Sequence, residues 1–213
     1  MDARPHGLVT FLFTDIVGST RLWEQFPTSM PGAFQLHEQV VRQNARQHQG
    51  FVYKMIGDAF QIAFATPQQA LAAAIGAQRA LCALTWDAID PISVRMGIHS
   101  TQTEERGDDY IGPGLNRLAR MLAAGAGGQI LVSQSSACLL NDDPLPEIAL
   151  CDLGIYRLKD LIQAEHIFQV VAAALPNHFP PLKTWKAPKG RSDRRRSVPS
   201  FAAGMVLRPL HSI

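Results

Sequence analysis

From Leu8 to Thr14 the chain is continuously apolar and β-prone (LVTFLFT), the pattern of a central strand buried on both faces. It stops at Asp15. Ser19 and Thr20 follow Gly18, and either can cap a helix running through Arg21, Leu22, Trp23 and Phe26. A second helix is predicted over about 31–47, with Phe34, His37, Val40, Val41 and Ala45 on one side. Residues 50–56 and 59–65 read as strands joined tightly at Gly57-Asp58, a strong hairpin signal. Residues 67–84 open on Pro67 and are rich in Ala and Leu, which predicts a helix. Residues 92–100 (ISVRMGIHS) alternate like a half-buried strand, and a polar loop is expected over 101–112. A helix of about 113–124 follows from Pro113, then a strand at 129–133, a short helix, and strands at about 154–159 and 166–172.

Strands alternate with helices, yet one tight hairpin interrupts the series. That order predicts an α/β (α+β) sandwich, ferredoxin-like in its core, with a mixed sheet and flanking helices rather than a doubly wound parallel sheet. No internal repeat of 20–50 residues is visible.

Composition narrows the class. The 213 residues are 46% hydrophobic and 18% charged, enough to pack a core. No run of about 18 apolar residues exists to span a membrane, and the N-terminus lacks the pattern of a secretory signal. Cys82, Cys138 and Cys151 are scattered, so neither a disulfide framework nor a structural zinc site is expected, and a reducing cytoplasm is the default. The net charge of +2 hides an asymmetry. From Lys183 onward eight basic residues face Asp193 alone, whereas residues 1–182 carry a net charge of −5. An acidic body carrying a basic tail is not a nucleic-acid-binding domain with a basic face. The division expected is a folded domain over residues 1–175 and a basic, Pro-containing tail over 176–213, a disordered extension or linker.

Four features bear on chemistry. Asp15 ends the apolar strand, and the Ile16-Val17-Gly18-Ser19-Thr20 turn behind it opens a helix whose free N–H groups can receive phosphate oxygens. Asp58 sits at the hairpin tip; beside the first strand, it and Asp15 would form an all-oxygen pair suited to Mg²⁺ or Mn²⁺. Taken alone, each Asp is equally a cap or a turn residue. Asn116 and Arg120 are spaced i, i+4, while Leu115, Leu118, Ala119 and Leu122 can turn to the core. An amide beside a guanidinium can bind sugar and phosphate oxygens together. Lys54 stands four residues before Asp58, and Asp108-Asp109 lies in the polar loop. The seven histidines show no metal-ligand spacing, and neither a P-loop nor a Gly-x-Ser-x-Gly elbow is present.

Three stretches, in this order, resemble the signatures of class III nucleotidyl cyclase catalytic domains, with the closer likeness to bacterial adenylate cyclases. They are Phe13-Thr-Asp15-Ile-Val-Gly-Ser-Thr20, Lys54-Met-Ile-Gly-Asp58 and Asp109-Tyr-Ile-Gly-Pro-Gly-Leu-Asn116-Arg-Leu-Ala-Arg120. The likeness covers about residues 7–172. It implies that Asp15, Asp58 and the carbonyl of Ile16 hold two Mg²⁺ or Mn²⁺ ions, and that Gly18, Ser19 and Thr20 meet the substrate. It implies further that Asn116 orients the ribose, Arg120 stabilises charge on the α-phosphate, and Lys54 with Asp109 reads adenine. Lys159 or Arg157 could meet the triphosphate. In this family each site forms between two protomers, so a homodimer is implied, with ATP as substrate and a regulatory domain or partner possible. Gly114 at the opening of the Asn116/Arg120 helix, and Ile111 where a larger aromatic is frequent, depart mildly from the pattern. The rival expectations are a catalytically weak, cyclase-like ATP-binding regulatory module, a guanylate cyclase, and a ferredoxin-like interaction module.

Overall fold

The computed structural model describes residues 4–86, 89–143, 145 and 147–183. The elements run β1 (Leu8–Ile16), α1 (Ser19–Gln25), α2 (Met30–Gln47), β2 (Phe51–Ile56), β3 (Ala59–Phe64), α3 (Pro67–Ala83) and β4 (Val94–Gln102). They continue with β5 (Glu104–Arg106), β6 (Asp109–Ile111), α4 (Pro113–Ala124), β7 (Ile130–Ser133), α5 (Gln134–Asp142), β8 (Ile148–Tyr156) and β9 (Glu165–Ala172). Seven strands form one mixed sheet in the order β2-β3-β1-β4-β7-β9-β8. Its first four strands are antiparallel neighbours in the split βαβ order of a ferredoxin-like core. β7 joins β4 in parallel through α4, and β9 and β8 close the far edge.

β1 lies between β3 and β4 and is buried on both faces, as its unbroken apolar run requires. Leu12 and Ile16 point into a core packed by α2, α3 and α5, whereas Val9, Phe11 and Phe13 point into a second core under α4. By the two-residue pleat, Asp15 shares the α4 side. The α3 start carries a full capping box between Thr66 and Gln69, with Pro67 behind it. Among the described residues no helix is long and apolar enough to cross a membrane.

Helix α4 buries Leu118, Met121 and Leu122 and leaves Asn116, Ala119 and Arg120 exposed. Met121, rather than Ala119, completes the core face. The helix lies close to β4 because Gly97 has no side chain: a Cβ there would stand 3.0 Å from Leu118 Cδ1. Gly114 has the same purpose one turn earlier, since a Cβ would meet the Thr101 side chain at 2.5 Å.

Three local expectations are corrected. Neither Ser19 nor Thr20 caps α1; Gly18 takes the N-cap in the left-handed region (φ 73°), with no side-chain cap bond. A polar loop was expected over 101–112, but β4 runs on to Gln102 and β5 and β6 pair as a small hairpin. β8 begins at Ile148, six residues before its predicted start, because its alternation of half-buried and exposed residues is that of an edge strand. Beyond β9, the stretch grouped with the basic tail packs back as far as it is described. Leu182 is buried under α4, and the Lys183 N–H donates to the Ala124 carbonyl at 2.9 Å. Residues from 184 onward, with most of the basic run, lie outside the described residues.

Two histidines are sealed in. His37 on α2 lies against Phe34 and Phe60 with both ring nitrogens unpartnered, and burial pushes it from 6.5 down to about 4. His99 on β4 bonds Ser133 at 2.8 Å, and burial, helped by Arg117, lowers it equally to about 4.

Two outcomes follow. Gly114→Ala should destabilise by about 1–3 kcal/mol through overpacking, opposite in sign to the roughly 1 kcal/mol that helix propensity alone would return; thermal unfolding distinguishes them. Both histidines bind protons more readily unfolded, so stability complete above pH 6.5 should fall as pH drops toward 4. Replacing His37 by Phe should flatten that dependence, read as Tm against pH.

Candidate functional site

The antiparallel pairing of Thr14 with Phe60 brings the β2–β3 tip to the end of β1. Gly57 takes φ 60° in that turn, a left-handed conformation suited to glycine. Asp58 is thereby placed to accept the Ile16 N–H on Oδ2 at 2.8 Å. Asp58 thus bonds the backbone amide of the residue that follows Asp15.

Asp15 has a cation of its own. Register places Arg95 directly opposite it on β4, and Arg95 Nε and Nη2 donate to Asp15 Oδ2 at 2.8 and 2.5 Å. Nη1 of the same guanidinium donates to the Ala123 carbonyl at 3.0 Å, near the end of α4 where the helix dipole favours positive charge. Sequence reasoning missed Arg95. It stood in view between Val94 and Met96 in an alternating strand, but only the β1–β4 register identifies its partner.

A second pair lies on the same face of the sheet. Lys54 on β2 donates to Asp109 Oδ2 at the start of β6, and the Tyr110 N–H donates to Asp109 Oδ1 at 2.8 Å. The lysine bond, above all, holds Asp109 below its ordinary 3.8, outweighing slight burial. Beneath the pair, Tyr110 packs edge-on against Tyr53 and Phe11, with ring centroids 4.9 and 5.1 Å away. Burial pushes both tyrosine hydroxyls up.

Asn116 and Arg120 share the exposed face of α4, as their spacing predicted. Arg120 Nη2 lies 2.8 Å from Asp160 Oδ2 in the turn after β8. On the next face of the helix, Arg117 Nη1 lies 2.6 Å from Glu165 Oε1, a carboxylate only 7% exposed whose pKa burial raises. Arg157 and Lys159 are exposed in the same β8–β9 connection. Among the described residues no hydrogen bond or ion pair joins Asp15 or Asp58 to Asn116 or Arg120. Gly18, Ser19 and Thr20 stand at the start of α1, directly after the Asp15–Ile16 end of β1.

The donor chemistry fits a hard divalent cation. Asp15 and Asp58 offer carboxylate oxygens, and the protein's own donors fall on Oδ2 in both. Among the described residues no three His, Cys, Asp or Glu side chains cluster, so these two carboxylates and nearby oxygens would have to serve.

Comparison with known proteins shows what the whole chain is similar to. The model of the adenylate and guanylate cyclase catalytic domain matches residues 1–169. An uncharacterized protein of Mycobacterium tuberculosis is 32% identical over 185 residues, covering 86% of this chain and 62% of that protein. The chain thus spans about three-fifths of that mycobacterial relative. An adenylate cyclase of Podospora anserina is 36% identical over 226 residues, covering 80% of this chain and 10% of that protein. Among solved structures, an adenylate cyclase of Trypanosoma brucei, described in its monomeric state, superposes with a TM-score of 0.78 at 26% identity, covering 86% of this chain and 97% of that one.

Lys54→Met should let the Asp109 carboxyl rise toward its ordinary range, because the largest influence lowering it is removed. A ¹³C-detected pH titration of Asp109 reads the change, and an unmoved titration would contradict the pairing.

Proposed function

The chain belongs to the adenylate and guanylate cyclase catalytic domain family, and on that premise we propose that it is an adenylate cyclase working as a homodimer with shared sites. It would convert ATP to 3′,5′-cyclic AMP and pyrophosphate. The observation that carries this is the sorting of the six side chains into separate groups. Asp58 bonds the amide of Ile16, the residue next to Asp15, Lys54 meets Asp109, and Asn116 and Arg120 face solvent together on α4. Among the described residues no internal bond links the carboxylate pair to the α4 pair, so a second copy of the chain is the natural source of the missing half.

Asp15, Asp58 and the Ile16 carbonyl would hold two Mg²⁺ or Mn²⁺ ions. When bound, such ions lower the pKa of the ribose 3′-hydroxyl and neutralise the departing pyrophosphate. The 3′-oxygen forms a bond to the α-phosphorus as the bond from that phosphorus to the oxygen bridging the β-phosphate breaks, pyrophosphate leaves, and the hydroxyl proton passes to water. Asn116 orients the ribose, and Arg120 stabilises charge building on the α-phosphate. The Gly18-Ser19-Thr20 turn contacts the substrate just beyond the carboxylate pair. Arg95, now spent on Asp15, would exchange that carboxylate for phosphate oxygens. Adenine presents an acceptor at N1 and a donor at N6, which complement Lys54 and Asp109; guanine, with O6 and N1–H, meets mismatched partners. The pair favours ATP over GTP.

A second reading, a cyclase-like ATP-binding module with weak turnover, is favoured by one observation. Arg120 is engaged by Asp160, and turnover requires it to leave that carboxylate.

The test is cyclic AMP formation by the full chain with ATP and Mn²⁺ across protein concentrations. Specific activity should rise with concentration and vanish in Asp15→Ala. Arg120→Ala should lower kcat about 10²–10³-fold with little change in KM. Mn²⁺-dependent ATP binding without turnover would support the weak module, and neither binding nor turnover would overturn both readings.

A further inference from the structure

The β5–β6 hairpin consists of two three-residue strands, too short to hold its shape in water without support. It nevertheless carries Asp109, whose position opposite Lys54 matters to the reading above. Its support comes from the segment before β1. Arg4 Nη1 donates to the Gly107 carbonyl at 2.5 Å, and Nη2 donates to the Asp109 carbonyl at 2.6 Å. The guanidinium carbon stands 4.3 Å from the centre of the Tyr110 ring and 5.7 Å from that of Phe51. Nε is 3.7 Å from a Glu105 carboxylate oxygen. The neighbouring residues add to the grip. The Tyr110 hydroxyl donates to the Pro5 carbonyl at 2.6 Å, and the Thr103 N–H donates to the Gly7 carbonyl at 3.4 Å.

Apart from the Phe51 ring on β2 and the Thr103 amide just before β5, these contacts fall on the hairpin or on the Tyr110 ring that it carries, and the Arg4 side chain is only 19% exposed. A planar guanidinium can bond two carbonyls while stacking on an aromatic ring; an ammonium cannot do both. Lys54, by contrast, is fixed by the main sheet through β2 and needs no such clamp.

We propose that Arg4 is a positioning residue for base recognition: it clamps the β5–β6 hairpin so that Asp109 meets Lys54, and thereby sets the preference for adenine. The proposal rests on the reading of Lys54 and Asp109 as the base-reading pair. Arg4 touches none of Asp15, Asp58 or Arg120, so its loss should alter substrate affinity and choice rather than the chemical step.

The experiment compares full-length wild type, Arg4→Ala and Arg4→Lys in steady-state turnover of ATP and GTP with Mn²⁺, beside hydrogen exchange over residues 104–111. Arg4→Ala should raise KM for ATP about tenfold and reduce the ATP-to-GTP preference, with kcat within about threefold of wild type. Exchange over 104–111 should quicken while β1 and β3 stay protected, and Arg4→Lys should fall between the two. Wild-type KM and selectivity in Arg4→Ala would overturn the proposal, as would a loss of kcat at unchanged KM. If Arg4→Ala does not fold, Arg4→Lys decides: an intermediate KM and selectivity supports the clamp, and wild-type values refute it. A wild-type chain that forms no cyclic nucleotide from either triphosphate refutes the underlying functional reading; an active wild type with an indifferent Arg4 refutes the clamp alone.

Discussion

The arrangement of charged groups depends on the register of β1 between two antiparallel neighbours. Pairing with β4 sets Asp15 against Arg95, and pairing with β3 brings the Asp58 turn to the Ile16 amide. A slip of one residue would reverse every side chain of β1, sending Phe11 and Phe13 out of one core and Leu12 and Ile16 out of the other. Burial on both faces makes such a slip prohibitive. The same hydrophobic packing that stabilises the sheet therefore fixes where the two carboxylates stand.

Charge at the site is balanced locally. Asp15 meets Arg95, Lys54 meets Asp109, and Arg120 meets Asp160. These pairs are partly exposed, so each contributes little to folding stability. On the proposed function, their value lies in holding groups near their working positions at low cost and in being exchangeable. On that reading, a nucleoside triphosphate with its cations would bring both signs of charge and would replace each internal partner in turn. The buried part of the molecule behaves differently: Gly97 and Gly114 let α4 lie against β4 without a gap, which fixes the helix that carries Asn116 and Arg120.

Much of this was legible in the sequence because it depends on local pattern. The unbroken run LVTFLFT, the Gly57-Asp58 turn, the Pro67 and Pro113 helix starts and the i, i+4 spacing of Asn116 and Arg120 each have one dominant structural meaning. What escaped notice depends on contacts between distant segments. Arg95 is ordinary within its strand and gains its meaning from Asp15, 80 residues earlier in the chain. The β5–β6 hairpin looked like a polar loop because each strand has only three residues and β5 is exposed and charged, and its order comes from Arg4 and the Tyr110 ring. Gly114 stood out only as a mild departure at the opening of a helix; the Thr101 side chain occupies the space its own side chain would need.

The central claim is that Asp15 and Arg120 act in the same site only across two copies of the chain. Mixing the separately inactive Asp15→Ala and Arg120→Ala chains tests it most directly. In a mixed dimer with isologous symmetry, one of the two sites keeps both residues. Cyclic AMP formation should then return to about a quarter of the wild-type rate in an equimolar mixture, half of the dimers being mixed and each holding one intact site. A mixture as inactive as its components, with mixed dimers present, would contradict the shared site.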